Sequence, residues 1–249
     1  MLFEKRNGLF IGRFRRLYGR PGYIHGFSMR KGGKSAPPYD TLNLGFNTED
    51  EPTSTEENRR RFWNAMFLDS SCSAIPQQVH GDRILAVNKP GIYPDTDALI
   101  TNRSDLFLVV QTADCLPVFL VDPIKRAIGL VHAGRRGSAR QIASKTVQAM
   151  AVEFGSAPER LEAYLGPSIG PCCYTVGKEV SDEFASKYTQ DGKLDLWRVN
   201  SDQLIDAGLN PAQVESSRLC TACHHEWFFS HRISGGKTGR MMGVLALAG

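Results

Sequence analysis

The sequence predicts an α/β domain of the mixed α+β kind, with mixed sheets, over residues 1–249. Three observations predict it. Leu106 to Gln111, Pro117 to Val121 and Ala127 to Val131 are continuous apolar runs rich in Val, Phe and Leu, a pattern that suits strands buried on both faces. Ala139, Ile142, Ala143, Val147, Met150, Ala151 and Phe154 recur at three- and four-residue steps, so one helix face carries them all. Asp122-Pro123 to Lys125 leaves room only for a short turn between two of the runs, which favours a mixed sheet over a regular doubly wound fold.

The remaining elements follow in chain order. Lys31 to Pro38 is a Gly/Ser/Pro loop, expected to be exposed. Asp50 to Thr55 is a second loop that ends in a helix start. Ser54-Thr55-Glu56-Glu57 fits a capping box, and the helix is expected to run through Phe62, Met66 and Phe67. Ile84 to Val87 and Leu161 to Leu165 read as short strands, Val180 to Tyr188 and Leu194 to Leu204 as helices. Val214 to Leu219 and Met242 to Leu247 close the chain as strands. No internal repeat or low-complexity linker divides the chain.

Composition narrows the function classes. With 41% hydrophobic and 22% charged residues, the chain can bury a sizeable core and is not a disordered protein. A formal net charge of +4 is compatible with an anionic small-molecule substrate. The one basic cluster, Arg13, Arg15, Arg16 and Arg20, reads as a solvated surface, so no nucleic-acid partner is expected. Six cysteines are too few for a disulfide scaffold. Met1 to Phe14 mixes charges through its apolar residues, and no apolar run approaches the roughly 20 residues that cross a bilayer. The expectation is a cytoplasmic protein with reduced cysteines and no membrane association.

Polar groups at the ends of buried strands are the candidates for chemistry. His80 follows Gln77-Gln78-Val79, Cys115 follows the run at 106–111, and His132 follows Gly129-Leu130-Val131. Two imidazoles and one thiolate suit a borderline-soft ion such as zinc, and three protein ligands leave a fourth position open, as in catalytic sites. The spacing matches no short motif, so two ordinary histidines and an inert cysteine fit the same positions. After His132, Gly134-Arg135-Arg136-Gly137-Ser138 leads into the helix at 139–154. A helix start of this kind offers free N–H groups to an anion, or else is a plain turn with Ser138 as N-cap. Cys220-Thr221-Ala222-Cys223-His224 has the C-x-x-C-H spacing of haem attachment, but haem attachment belongs with export, which nothing here signals. A structural zinc there lacks a second C-x-x-C pair. Cys172-Cys173 are adjacent and awkward as joint ligands. All four cysteines are expected to be reduced and without a ligand role.

At these residues the sequence resembles a known family. Gly26-Phe27-Ser28 with Arg30, Gly32-Gly33, Leu42-Asn43-Leu44-Gly45 and Asn58-Arg59 look like its N-terminal signature. Gln78-Val79-His80-Gly81, Asp97-Ala98-Leu99-Ile100-Thr101, Thr112-Ala113-Asp114-Cys115 with Pro117, and His132-Ala133-Gly134 follow in order. Leu165-Gly166-Pro167-Ser168-Ile169, Cys220-Thr221, Phe229-Ser230, Arg232 and Gly239-Arg240 complete the series. Together they resemble the YfiH-type family, also called laccase domain-containing, multicopper polyphenol oxidase-like or purine nucleoside phosphorylase. The likeness runs from about residue 24 to the end.

The resemblance implies a four-layer α-β-β-α sandwich and a zinc held by His80, Cys115 and His132. It implies phosphorolysis of adenosine, inosine and methylthioadenosine, with adenosine deamination beside it, so that purine nucleoside and phosphate are the expected partners. By motif position it places Asn43, Arg59 and Arg232 in the substrate pocket; the helix start after His132, and not the resemblance, makes Arg135 a candidate contact for phosphate. Three departures bear on the choice of purine: Arg135 stands where the family usually has Trp, His231 and Ile233 where it has Tyr and Arg, and Met29 where it commonly has Thr. Two other chemistries compete. A cysteine hydrolase or deamidase would use Cys115 as nucleophile and His132 as base, and leave His80 idle. A copper-dependent polyphenol oxidase of the multicopper type needs more than the six histidines present and some His-x-His pair, which is absent, although one copper ion could occupy the same three ligands.

Overall fold

The computed structural model describes residues 1–248. The strands in chain order are β1 (Leu2–Arg6), β2 (Leu9–Arg13), β3 (Tyr23–Ser28), β4 (Ser73–Pro76), β5 (Ile84–Ala86), β6 (Gly91–Tyr93), β7 (Ala98–Thr101) and β8 (Phe107–Thr112). They continue with β9 (Leu116–Asp122), β10 (Ala127–Ala133), β11 (Glu162–Leu165), β12 (Thr189–Gln190), β13 (Lys193–Leu194), β14 (Val214–Ser216) and β15 (Met241–Leu247). The helices are α1 (Pro52–Met66), α2 (Arg135–Ala139), α3 (Ile142–Phe154), α4 (Lys178–Ser181) and α5 (Leu196–Asp206).

Two large mixed sheets result. The first has the order β1-β2-β3-β15-β8-β4-β6 and the second β14-β11-β9-β10-β7-β5. Both combine antiparallel pairs with parallel ones: β4 runs parallel to β6 and β8, β11 to β14, and β5 to β7. Their facing surfaces share one core, in which Leu108, Val110 and Leu245 of the first sheet meet Phe119, Val121 and Leu130 of the second. The outer face of the second sheet is covered by α3 and α5 through Ile142, Val147, Met150 and Leu204. The outer face of the first is covered by α1 through Phe62, Trp63 and Met66. The layers are therefore α-β-β-α. Strands such as β8, β9, β10 and β15 are covered on both faces, which is why their residues are apolar without alternation.

Several local expectations are corrected. The α1 start is Glu51 followed by Pro52, whose missing N–H costs nothing at a helix's first position. Ser54 therefore lies inside the helix, and Glu57 pairs with Arg60 and Arg61 instead of closing a capping box. The long helix after His132 is two helices, broken at Arg140 and Gln141, where Gln141 adopts φ 61°. The segment 180–188 is not one helix but α4 and a short 3-10 turn at Ser186–Tyr188. The arginine cluster is not one solvated face. Arg15 and Arg16 are exposed, but Arg13 is buried and bonded to Glu4 and the His25 carbonyl, and Arg20 pairs with Glu162. Among the described residues no helix is long and apolar enough to cross a membrane.

His25 on β3 is a buried core histidine. Its Nε2 accepts the Phe14 N–H at 2.9 Å, and its ring stacks on Phe14. Burial, with the nearby Arg13 charge added, lowers its pKa from 6.5 to about 3. A depressed pKa contributes stability that is complete above pH 6.5 and is lost as pH falls toward about 3, because only the unfolded chain takes up the proton in between. Urea midpoints at pH 7.5 and 5 should show wild type losing up to about 1.4 kcal/mol per pH unit from this group. His25→Gln, which keeps an acceptor, should lack that part of the slope; identical slopes in the two proteins would contradict the assignment.

Candidate metal centre

Two metal-ligating candidates sit where the chain crosses from one sheet to the other. β4 belongs to the first sheet and β5 to the second, and the loop between them carries His80. β8 and β9 are likewise in different sheets, and the three residues between them are Ala113, Asp114 and Cys115. His132 comes from the last turn of β10. The ligand atoms of His80, Cys115 and His132 lie within 4.8 Å of one another. The two imidazole rings stand nearly perpendicular, centroids 4.9 Å apart.

One residue not singled out from sequence organises the group. The fully buried Asp97 receives His132 Nδ1 on Oδ1 at 2.7 Å. That bond fixes a proton on Nδ1, so that Nε2 is the nitrogen whose lone pair can face a metal. The same carboxylate accepts the backbone N–H groups of Val79, His80 and Gly81 at 3.2, 3.0 and 2.7 Å. His80 adopts φ 59°, unusual for a residue with a Cβ, and this triple anchor holds it there. Gly134 closes the floor: a Cβ there would stand 3.0 Å from the Cys115 sulfur and 3.3 Å from the His80 ring. Asp114 plays the equivalent part beside Cys115. It adopts φ 88°, accepts the Thr221 hydroxyl at 2.6 Å and the Arg232 N–H at 2.7 Å, and its carbonyl receives the Ile169 N–H.

The electrostatics suit a thiolate. Burial opposes ionisation of Cys115, but the charge of His132 and hydrogen bonds from both histidines outweigh it and bring the thiol from 9.0 to about 6. Burial also opposes the charged form of His132, yet the Cys115 thiolate and Asp97 raise it to about 9. Desolvation works against the Asp97 carboxylate too, and the His132 and backbone donors still hold it below its ordinary value. Donor chemistry, convergence and the outer carboxylate together fit a zinc-type centre with one position left for a ligand.

The triad stands on the wall of a cavity of about 550 Å³. Arg135, Arg232 and Arg240 line it, as do His231 and the apolar Phe46, Ile92, Ile169 and Tyr174. Each arginine is tethered through Nη1: Arg135 to Glu183, Arg232 to the Thr175 carbonyl, Arg240 to the Thr238 and Gly239 carbonyls. The sequence singled out Arg135 and Arg232 but not Arg240. Asn43 and Arg59, expected in the pocket, stand behind it. Asn43 is buried and spends both side-chain atoms internally, donating to Thr48 and Asp50 and accepting from Gly45 and Arg240. Arg59 bonds the Leu44 and Gly45 carbonyls and lies over the Phe46 ring at 4.0 Å. Both therefore shape the loop that presents Phe46. The helix that starts after His132 is the five-residue α2 with Gly134 as its N-cap, so Ser138 lies inside a helix and is not an N-cap.

A second group of ligand atoms appears where none was expected. Cys172, Cys173, Cys220 and Cys223 bring four sulfurs within 4.8 Å of one another.

Comparison with known proteins gives concordant matches. The family model described as multi-copper polyphenol oxidoreductase laccase matches residues 24–248. A Bacillus subtilis (strain 168) protein named purine nucleoside phosphorylase YlmD is 33% identical over 245 residues, covering 90% of this chain and 88% of its own. A Deinococcus radiodurans protein named purine nucleoside phosphorylase is 37% identical over 231 residues, covering 90% and 88%. The crystal structure of YlmD from Geobacillus stearothermophilus superimposes with a TM-score of 0.90 at 31% identity, covering 97% of each chain.

If the three side chains form one centre, Cys115→Ala should lose one equivalent of metal by elemental analysis, and full retention would remove Cys115 from it. With Cys115 ionised above about 6 and His132 protonated below about 9, metal uptake at neutral pH should expel about one proton, from His132. Affinity should then rise with pH toward 9. Calorimetry in buffers of different ionisation enthalpy measures this, and uptake without proton release would contradict the ion pair.

Proposed function

The chain belongs to the multi-copper polyphenol oxidoreductase laccase family, and on that premise we propose that it is a zinc-dependent purine nucleoside phosphorylase acting on adenosine, inosine and methylthioadenosine. The observation that carries the reading is one cavity that joins the His80, Cys115 and His132 ligand set to three arginines and an aromatic wall. The relatives named purine nucleoside phosphorylase point the same way.

Phosphorolysis forms a bond from a phosphate oxygen to the sugar's anomeric carbon and breaks the bond from that carbon to the purine. The electron pair leaves on the base, which takes up a proton. The site must hold an anion beside a sugar that becomes cationic and must receive charge building on the base. Arg232 and Arg240 are fixed by backbone carbonyls through one nitrogen each, which leaves the rest of each planar fork for phosphate or a purine acceptor edge. Arg135 faces the same cavity but is paired with Glu183 at 2.6 Å, so phosphate there exchanges with a carboxylate. Phe46 and Tyr174 line the cavity and give it aromatic surface for a purine, with Arg59 over the Phe46 ring and Arg232 over the Tyr174 ring. His80, Cys115 and His132 would hold a zinc ion, which would supply Lewis acidity to this wall of the cavity. Hydrolytic deamination of adenosine, in which water replaces the ring amino group and ammonia leaves, is the side activity that the same residues would support. Copper fits these ligands as well, but one such site does not make the multicopper cluster of a laccase.

A specific observation favours a second reading. Without metal, Cys115, His132 and Asp97 line up as thiolate, imidazolium and orienting carboxylate, the arrangement of a cysteine hydrolase. Base release from adenosine and inosine, measured across phosphate concentrations with the metal-free protein as control, separates the readings. Phosphorolysis predicts release that requires phosphate and metal. Release independent of phosphate means hydrolysis, and turnover of no nucleoside by metal-loaded protein returns the cysteine reading. Arg135→Ala should raise the KM for phosphate about tenfold or more, the scale of one charged hydrogen bond, and leave that for nucleoside nearly unchanged. Equal effects on both would place Arg135 outside the phosphate site.

A further inference from the structure

We propose that Cys172, Cys173, Cys220 and Cys223 form a second, structural zinc site that ties two loops together beside the cavity. This rests on no assumption about the substrate. The four sulfurs lie within 4.8 Å of one another, with Cys223 Sγ 3.4 Å from both Cys172 Sγ and Cys173 Sγ. Zinc bonds thiolate at about 2.3 Å, so a tetrahedron of four sulfurs has edges of about 3.8 Å. The observed cluster needs only small side-chain adjustments to match it.

Backbone geometry explains how adjacent cysteines share an ion. Residues 170–174 fold into a tight turn, with the Cys173 and Tyr174 N–H groups both donating to the Gly170 carbonyl. Cys172 and Cys173 therefore leave a curved backbone and reach a common point, whereas in an extended strand they would face opposite ways. Cys220 and Cys223 come from a second turn, closed by the His224 N–H on the Cys220 carbonyl. The two turns are already joined by the bridge between Ser168 and Cys220. The Cys220 sulfur accepts the Gly170 N–H at 3.2 Å, so a donor is in place to stabilise a thiolate. Cys220 is buried, while Cys172 and Cys223 are exposed, which gives an ion an entry path.

Four thiolates select a soft or borderline ion and leave no open position, which marks a structural site and not a catalytic one. Binding converts four thiols to thiolates and releases four protons to solvent, with no redox change. The clamp has a consequence for the cavity. Ile169 and Tyr174 flank one turn and line the cavity, and Thr221 in the other turn bonds Asp114 next to Cys115. Fixing the turns fixes that wall. The loops are 47 residues apart at their nearest cysteines, Cys173 and Cys220, so no local spacing announces the site.

Elemental analysis of protein purified without added metal tests it. Wild type should carry two zinc equivalents, Cys115→Ser one, Cys223→Ser one, and the double variant none. In Cys115→Ser, titration of the thiols with an organomercurial should release the remaining zinc in step with four thiols, a readout that needs no variant of the cluster itself. A total of one equivalent in wild type and none in Cys115→Ser would overturn the proposal. So would iron in place of the second zinc, or a disulfide between Cys223 and Cys172 or Cys173 found by peptide mapping of the freshly isolated protein.

Discussion

The Asp97 carboxylate is the constraint on which the centre depends. It lies buried between the two sheets' crossovers, and its two oxygens take one imidazole N–H and three successive backbone N–H groups. Those bonds set the tautomer of His132 and the backbone of His80 together, although the two residues lie 52 positions apart. A buried carboxylate with fewer partners would be costly, so the same four donors that position the ligands also make the burial possible. Cys115 completes the set because its turn leaves one sheet for the other at the same end of the sandwich.

The sandwich makes this convergence possible. Its central strands are covered on both faces and rigid, whereas their ends are free to carry polar groups. Both crossing loops and the end of β10 open toward one cavity, and the arginine-bearing segments around residues 232 and 240 return to it before β15 re-enters the first sheet. Each tethered guanidinium is held by a backbone carbonyl or a carboxylate, so charge is presented to a ligand with little left to order on binding.

The central strands and α3 were legible because burial on two faces or one face leaves a plain periodicity. β1, β2 and β3 were not, since Leu2 to Arg6 is two apolar residues followed by three charged ones, without the alternation of a half-buried strand, and Arg13 and His25 look like surface residues while being buried. The triad was legible by residue type at strand ends and by resemblance, but Asp97 was hidden because its role is visible only through its partners. Asn43 shows a role that residue type alone does not give: its four internal hydrogen bonds hold the loop that presents Phe46. The convergence of the four cysteines was not legible, because adjacency in sequence says nothing of direction once the backbone turns.

Asp97 holds two candidate metal ligands, His80 and His132, at once. Asp97→Asn keeps the shape, but it removes the charge and turns one side of the group into a donor that faces backbone donors. Zinc affinity at the His80, Cys115 and His132 centre, measured by chelator competition, should fall about tenfold to a hundredfold, the usual cost of losing an outer-shell carboxylate. An affinity equal to that of wild type would contradict the claim.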